Sequence, residues 1–308
     1  AKLGGDMAIR RDLAEQAVAQ VADAMGLPLM EAAEGIVKIV NENMFGALRL
    51  VSVEKGYDPR DFALIAFGGA GPLHANALGR LTGAWPVIIP PGPGVLCAYG
   101  DATTRLRAEA SRTFISKLDA MAPDTIVGEL DALDRSARDA MLAEQSGREG
   151  AGLDDDQISS QYQVDLRYSG QGLVLTIDTS AGELREAGFA RVAERFDALH
   201  EQLFTFALDA EKEFVNLRSV VQGPPANVQA RAMNAASGSV EDAVVADHTL
   251  YADGAEHPAK IYDRAKLAPG HVVPGPAVVT EMDSTTLILP GHQAEVDKVG
   301  NLLIRPED

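Results

Sequence analysis

The stretch that most constrains the fold is Phe62–Phe67, a run of six mostly apolar residues that ends in Gly68-Gly69-Ala70-Gly71. A short apolar run bounded by glycines is typical of a buried strand, and Leu73, Ala77, Leu78 and Leu81 follow it at helical spacing. Residues 68–71, here called the glycine turn, would let backbone N–H groups approach a phosphate or ribose at a helix start. A turn that binds a ligand and a turn that only joins strand to helix both fit this pattern.

Composition excludes several classes of protein. A length of 308 residues suits two domains of about 150 residues each. The net charge of −18 argues against binding to nucleic acid or to an anionic membrane surface. No uninterrupted apolar run reaches the about 18 residues of a membrane span. A single cysteine, Cys97, excludes an internal disulfide framework and a cysteine-rich zinc site, and favours the cytoplasm.

The first part of the chain has an α/β pattern. Apolar residues at helical spacing predict two helices before the glycine turn, within 13–25 and 33–48, the first of them ending at Gly26. Val87-Ile88-Ile89 follows the glycine turn and its helix as a short buried strand, and leads into the loop Pro90–Gly94. Strand, helix and strand together predict a crossover unit of an at least partly parallel sheet.

The remaining chain is predicted as an α+β region followed by a small all-β module. Its predicted elements are a helix over 116–146, a β-hairpin over 161–177, a helix over 186–206, a strand over 213–221, a linker over 223–240 and short strands beyond 243. Tyr162 and Tyr168 are expected in the core of the hairpin. The predicted domains are 1–148, 149–225 and 226–308.

Five motifs carry a resemblance to a known family. They are Asp58–Phe62, Ala66–Ala75, Pro90–Gly94, Val164–Gln171 and Pro274–Thr286. Taken in order, they resemble the hydantoinase A/5-oxoprolinase family, which includes subunits of ATP-dependent acetone and acetophenone carboxylases. The resemblance runs from about residue 4 to residue 304, nearly the whole chain.

The resemblance implies a fold and a site. The family is similar to the actin, sugar-kinase and heat-shock-chaperone ATPases, so a C-terminal ribonuclease-H-like domain is expected. By that similarity Gly68, Gly69, Ala70 and Gly71 contact the ribose and phosphate end of ATP, where the helix dipole favours negative charge. His74 is a further candidate contact or acid/base group, with capping or packing on its helix as the alternative.

The sequence also departs from the family pattern. Family members carry an Asp-x-Gly-Gly-Thr phosphate loop and a second Gly-Gly-Thr-like loop, and neither occurs here; Gly4-Gly5-Asp6 is the only early candidate. We therefore expect the chain to correspond to the C-terminal half of a family subunit. The ligands of Mg would come from the N-terminal half or from a partner chain that carries it, and the chain alone would be inactive.

The resemblance implies part of a multi-subunit, ATP-dependent enzyme. Its expected role is phosphorylation of a substrate carbonyl (enol or imidate) oxygen for cyclic-amide hydrolysis, together with a hydantoinase B-like partner subunit. Two alternatives stay open: a subunit of an acetone- or acetophenone-type ketone carboxylase, and a non-catalytic assembly subunit.

Other candidate residues have structural alternatives. Asp283-Ser284-Thr285-Thr286 fits an Asx or ST turn, or a subunit contact. Cys97 is predicted to be a small buried residue, and His200 a partly exposed helical residue. The six histidines show no spacing typical of a metal site, so no metal ligand is assigned.

Overall fold

The computed structural model of the chain describes residues 2–3, 7–145, 154–225, 232–235 and 237–307. The α-helices of these ranges are α1 (Arg11–Met25), α2 (Leu29–Val51), α3 (Gly71–Thr82), α4 (Leu96–Thr103), α5 (Pro123–Gln145), α6 (Ala181–Ala187) and α7 (Ala190–Phe204).

The strands of the first half are β1 (Lys2–Leu3), β2 (Met7–Ala8), β3 (Leu64–Ile65), β4 (Val87–Ile89), β5 (Arg107–Lys117), β6 (Ser159–Tyr168) and β7 (Leu175–Thr179). Those of the second half are β8 (Lys212–Gln222), β9 (Val244–Ala252), β10 (Ala255–Asp263), β11 (Val272–Pro274), β12 (Ala277–Thr280), β13 (Thr285–Ile288), β14 (His292–Val296) and β15 (Leu302–Pro306).

The predicted strand–helix–strand unit around the glycine turn is confirmed. Strands β3 and β4 are parallel, with Leu64 opposite Val87, and α3 is the crossover between them. The strand before the turn is shorter than predicted, because only Leu64 and Ile65 pair with β4. The helix α1 ends at Gly26, whose φ of 68° gives the left-handed cap that favours glycine.

Strands from the C-terminal part of the chain continue the same sheet. Its order is β11-β14-β15-β4-β3, and β15 is antiparallel to β4, with Leu302 opposite Ile89. A second sheet, β13-β12-β10-β9, shares a core with the first. That core includes the fully buried side chains of Val87, Ile89, Val273, Ala277, Ile288 and Ile304.

Residues 103–228 form a separate compact unit. Its antiparallel sheet has the order β5-β8-β6-β7, and α5, α6 and α7 contribute to its core. The hairpin prediction is confirmed, since β6 and β7 pair with Val164 opposite Ile177. Tyr168 lies in the core as predicted, with 1% of its surface exposed, and Tyr162 packs against that core in a half-buried position.

Two helix predictions need correction. The helix predicted over 116–146 begins at Pro123, because residues 107–117 form β5, whose side chains are largely exposed and give little apolar signal. The helix predicted over 186–206 is divided into α6 and α7. The division falls at Gly188, which has a φ of 58° and a ψ of −141°, far from helical values.

The architecture is a mixed α/β fold. Residues 1–102 and 229–308 together make the other compact unit, so strands from the first and last predicted segments share one sheet. The division into domains at 1–148, 149–225 and 226–308 stays a prediction. Parts of the predicted linker over 223–240, namely 226–231 and 236, lie outside the described residues.

Candidate functional site

The glycine turn leaves its backbone open to a ligand. Gly68 has a φ of 81°, and no described atom lies within 4 Å of the position that a Cβ would take there. A Cβ on Gly69 would lie 3.5 Å from the carbonyl oxygen of Asp283, an ordinary contact distance. Ala70 is the N-cap of α3, and its methyl group cannot accept hydrogen bonds from the first-turn amides. The turn therefore presents backbone at the positive end of a helix.

Two other loops meet the glycine turn: the Pro-Gly loop (Pro90–Gly94) and the carboxylate turn (Glu281–Ser284). The amide of Gly68 donates to the carbonyl of Pro93 at 2.7 Å, which ties the glycine turn to the Pro-Gly loop. The hydroxyl of Ser284 donates to the carbonyl of Gly69 at 3.1 Å. Three of the motifs that the sequence separates by up to about 200 residues thus lie at one place.

A half-buried carboxylate and a buried guanidinium lie beside these loops. Glu281 accepts a hydrogen bond from the amide of Gly92 at 3.3 Å. Arg264, with 9% of its surface exposed, donates to the carbonyls of Ile89 at 3.2 Å and Gly300 at 2.6 Å. Burial raises the pKa of Glu281, and the positive charge of Arg264 opposes that rise. Sequence analysis gave neither residue a role, although Glu281 lies within the motif Pro274–Thr286.

An apolar cavity of about 340 Å³ adjoins the glycine turn. Its lining comes from α2, from β3 and the residues after it, and from α3: Met44, Ala47, Leu48, Leu64, Ile65, Ala66, Phe67, Gly71 and Leu78. Small-molecule sites have this character, mostly apolar and about 300–1,000 Å³ in volume. Gly71 belongs both to this lining and to the glycine turn, so the cavity and the turn are contiguous.

His74 lies on the first turn of α3, half-buried against α2. Its Nδ1 atom is 2.8 Å from Oδ1 of Asn41, a residue with 7% of its surface exposed. The imidazole thus links α3 to α2, which is the packing role that the sequence left open beside a ligand contact. Because Nδ1 contacts Asn41, any ligand contact of His74 would involve Nε2.

Two of the other sequence predictions are wrong. Cys97 is exposed, because none of the residues of the short helix α4 is buried. His200 has only 3% of its surface exposed, since the rings of Tyr168, Phe196, Phe204 and Phe206 surround it and its Nδ1 lies 2.7 Å from the carbonyl of Phe206. Helical spacing places Phe196 and Phe204 beside His200, four residues away on α7, but only the fold brings Tyr168 and Phe206 to it from outside that helix.

The described part of the chain holds neither a clustered set of metal ligands nor an apolar helix of membrane-spanning length. Within these ranges, no group of three or more His, Cys, Asp or Glu side chains is arranged to hold a metal ion. Among the same residues, no helix combines the length and the apolar character needed to cross a bilayer.

Two family models match most of the chain. Residues 2–110 match the family model described as hydantoinase/oxoprolinase, and residues 130–304 match the hydantoinase/oxoprolinase C-terminal domain. The chain belongs to the hydantoinase/oxoprolinase family.

Similar proteins include one of unassigned function and several enzyme subunits. An uncharacterized protein of Methanocaldococcus jannaschii is 35% identical over 98% of this chain and 42% of its own length. The caprolactamase subunit alpha of Pseudomonas jessenii is 29% identical over 99% of this chain and 44% of its own length. The acetone carboxylase beta subunit of Xanthobacter autotrophicus is 24% identical over 94% of this chain and 41% of its own length.

A solved structure shows the same fold over the whole chain. The ATP-dependent caprolactamase from Pseudomonas jessenii superposes with a TM-score of 0.83 at 26% identity, covering 100% of this chain and 45% of that one. The chain thus spans less than half the length of these relatives.

Proposed function

We propose that this chain supplies the ribose- and phosphate-contacting side of the ATP site in a hydantoinase/oxoprolinase-type enzyme. Gly68, Gly69, Ala70 and Gly71 contact the nucleotide through their backbone, and His74 contacts it through Nε2. The observation that carries the proposal is the glycine turn itself, with open space at Gly68 directly before the N-terminus of α3. The amide of Gly68 donates to Pro93 and that of Leu73 to Ala70, so in this proposal the amides of Gly69, Ala70 and Gly71 and the helix dipole attract the anion.

The neighbouring cavity supports the same proposal. Its apolar lining suits the faces of a purine ring, and Gly71 belongs both to the cavity and to the glycine turn. The similar caprolactamase is described as ATP-dependent, which supports ATP as the nucleotide. The proposed fold is the ribonuclease-H-like domain of the actin and sugar-kinase type.

Phosphoryl transfer needs further groups around the γ-phosphate. In this proposal the second phosphate loop and the ligands of Mg come from an N-terminal half, either in the same protein or in a partner chain. The chain alone is then inactive, and a hydantoinase B-like subunit completes the reaction. The assignment of these similar proteins as alpha and beta subunits supports a multi-subunit enzyme.

The proposed reaction is hydrolysis of a cyclic amide. ATP would transfer its γ-phosphoryl group to the imidate oxygen of the ring amide and leave as ADP. Water would then add to the imidate carbon, and cleavage of the C–N bond would open the ring to an amino acyl phosphate. A second water would hydrolyse this acyl phosphate to the carboxylate and phosphate. Sequence identity does not separate the two reactions, since a caprolactamase subunit is 29% and an acetophenone carboxylase subunit 28% identical to this chain. The structural match to the caprolactamase over the whole chain, with a TM-score of 0.83, supports hydrolysis. Ketone carboxylation is the second candidate, supported by that carboxylase relative.

Nucleotide titration tests the role of the glycine turn. The full chain, with any polypeptide that co-purifies, is titrated with a fluorescent ATP analogue and Mg²⁺. Because a Cβ at Gly69 meets only an ordinary contact, Gly69→Val should fold and weaken binding by about 10-fold or more by blocking the backbone. Gly128→Val on α5, where no described atom lies within 4 Å of the added Cβ, is the matched control. Equal affinity of Gly69→Val and the unaltered chain would refute the proposal.

Product release separates the two reactions. The purified assembly is supplied with ATP and either lactams and hydantoins, or a ketone with bicarbonate, while ADP is followed. Cyclic-amide hydrolysis predicts ADP release that depends on the ring amide. ADP release that depends on ketone and bicarbonate together would favour carboxylation. If neither set of substrates stimulates ADP release, an assembly role is favoured.

A further inference from the structure

Two charged side chains, the buried Arg264 and the half-buried Glu281, bond to the backbone of the Pro-Gly loop and of the strand end before it. Arg264 follows β10, and Glu281 begins the carboxylate turn between β12 and β13. Each retains a buried polar atom without a hydrogen-bond partner among the described residues, Nη1 of Arg264 and Oε1 of Glu281. Opposite charges on these two groups attract each other, while burial disfavours both charged forms.

Such a pair does not add stability by default. Removing two charges from water costs several kcal/mol, and replacement of a buried pair by apolar residues is often neutral or stabilising. The two residues must therefore be judged by what they hold in place. Arg264 holds the carbonyl of Ile89, the last residue of β4, and Glu281 holds the amide of Gly92, three residues further along. They fix both ends of one short segment.

That segment supports the glycine turn directly. Pro93, next to Gly92, accepts the 2.7 Å hydrogen bond from the amide of Gly68. Gly94 packs so closely on Asp283 that a Cβ there would lie 2.6 Å from the carbonyl oxygen of Asp283. A shift of the Pro-Gly loop is therefore transmitted to Gly68, the residue that must keep a φ of 81° for the turn to stay open.

We propose that Arg264 and Glu281 are positioning residues that hold the Pro-Gly loop against the glycine turn and so set its shape for the nucleotide. Neither residue touches the nucleotide. The inference rests on the proposed function of the glycine turn. It adds that the affinity of the site depends on two hydrogen-bonding side chains supplied from positions about 170–210 residues further along the chain.

A double variant separates positioning from stability. Arg264→Met with Glu281→Leu removes both charges but leaves the carbonyls of Ile89 and Gly300 and the amide of Gly92 without these partners, so the thermal midpoint of the full chain should fall modestly. The variant is therefore compared with the unaltered chain well below both midpoints. Hydrogen exchange by NMR should then show protection of the Gly68 amide reduced about 10-fold or more. The amide of Gly83, which donates to Gly79 at 2.8 Å, should be unaffected. Affinity for the fluorescent ATP analogue should fall by about the same factor.

Two further variants serve as controls. Glu281→Gln keeps an acceptor for Gly92 and should retain protection of Gly68 to within about threefold. Lys260→Met with Glu241→Gln neutralises an exposed ion pair, 2.5 Å long, in the same compact unit and should change neither readout.

The outcomes of these exchange and binding experiments distinguish failure of the positioning inference from failure of the proposed function. Unchanged protection of Gly68 in the folded double variant would overturn the inference. Equal loss of protection at Gly68 and Gly83 would also overturn it, because the pair would then be a general stabiliser. If the unaltered chain fails to bind the nucleotide, the proposed function fails, and the exchange at Gly68 still decides whether the pair positions the turn.

Discussion

At the scale of single residues, Gly94 shows how closely the Pro-Gly loop and the carboxylate turn pack. An added Cβ would lie 2.6 Å from the carbonyl oxygen and 2.8 Å from the Cβ of Asp283, and backbone atoms cannot move aside cheaply. Gly94→Ala should therefore lower the free energy of unfolding by about 1–3 kcal/mol, as measured by chemical denaturation.

Gly172→Ala is the matched control for this prediction. No described atom lies within 4 Å of the Cβ it would add, and the residue is exposed. Its free energy of unfolding should change by no more than about 0.5 kcal/mol. Equal stabilities of the two variants would show that the contact between Gly94 and Asp283 is loose in solution.

Glu183 gives a pH-dependent prediction. Its carboxylate accepts hydrogen bonds from Arg195 at 2.8 Å and from Thr179 at 3.1 Å, and the bond from Arg195 is the main reason that its pKa is lowered. A carboxylate with a lowered folded-state pKa stabilises the fold above its unfolded pKa, and this stability is lost as pH falls through the folded pKa. Glu183→Gln should cost about 1 kcal/mol at pH 7.

The cost of Glu183→Gln should shrink as pH falls through that folded pKa, because the native carboxyl then becomes protonated too. Urea unfolding at a series of pH values measures it. Glu186→Gln, further along the same helix, is the control for a general loss of charge. A cost for Glu183→Gln that is the same at every pH would contradict the ionic origin.

Part of the candidate site could be predicted from local sequence. The glycine turn could be predicted in this way, because an apolar strand, glycines and residues at helical spacing are adjacent in the chain. Arg264 and Glu281 could not, because their importance comes from contacts with Ile89 and Gly92, more than 170 residues away. No pattern of spacing reports such a contact. Ser284 lies in a motif that the sequence singled out, yet its bond to Gly69 follows only from the fold.

At the scale of secondary-structure elements, the boundary between α6 and α7 depends on the backbone conformation of Gly188, which can be tested. Apolar residues at helical spacing predict one helix over 186–206, but Gly188 has a φ of 58°. Gly188→Ala should lower the free energy of unfolding by about 1 kcal/mol or more, because an L side chain strains this backbone. Thermal or chemical denaturation measures the change.

Gly182, inside α6, provides the comparison. It has no left-handed φ, and only the Ser180 hydroxyl lies near its added Cβ, at 3.9 Å. Gly182→Ala should raise the free energy of unfolding by up to about 1 kcal/mol, since alanine is the better helix former. If Gly188→Ala were also stabilising, a continuous helix would exist in solution.

Helices and strands with a regular pattern of apolar residues could be predicted from the sequence. Strands that form only because they pair with a distant strand could not. The helices α1 and α2 and the hairpin β6–β7 follow from their own residues. The strand β5 has exposed and half-buried side chains, so its extended form depends on pairing with β8. The pairing of β15 with β4 joins chain segments about 200 residues apart and leaves no local signature.

At the scale of the whole molecule, each compact unit has its own core. The core that contains Val87 and Ile304 lies within residues 1–102 and 229–308, and the core that contains Leu130 and Phe196 lies within 103–228.

The net charge of −18 over the chain repels the phosphate backbone of nucleic acid. Nucleic acid should therefore not bind in place of the proposed protein partners.

Because its core is self-contained, the unit over 103–228 should fold without the rest of the chain. A fragment of residues 103–225 should show a single cooperative thermal transition by circular dichroism. Phe196→Ala, which removes a fully buried ring packed edge-on against Tyr168, should destabilise that transition by about 3–5 kcal/mol. Ile115→Ala is the control, since 65% of the Ile115 surface is exposed on β5. A fragment that melts without cooperativity would mean that this core depends on the remainder of the chain.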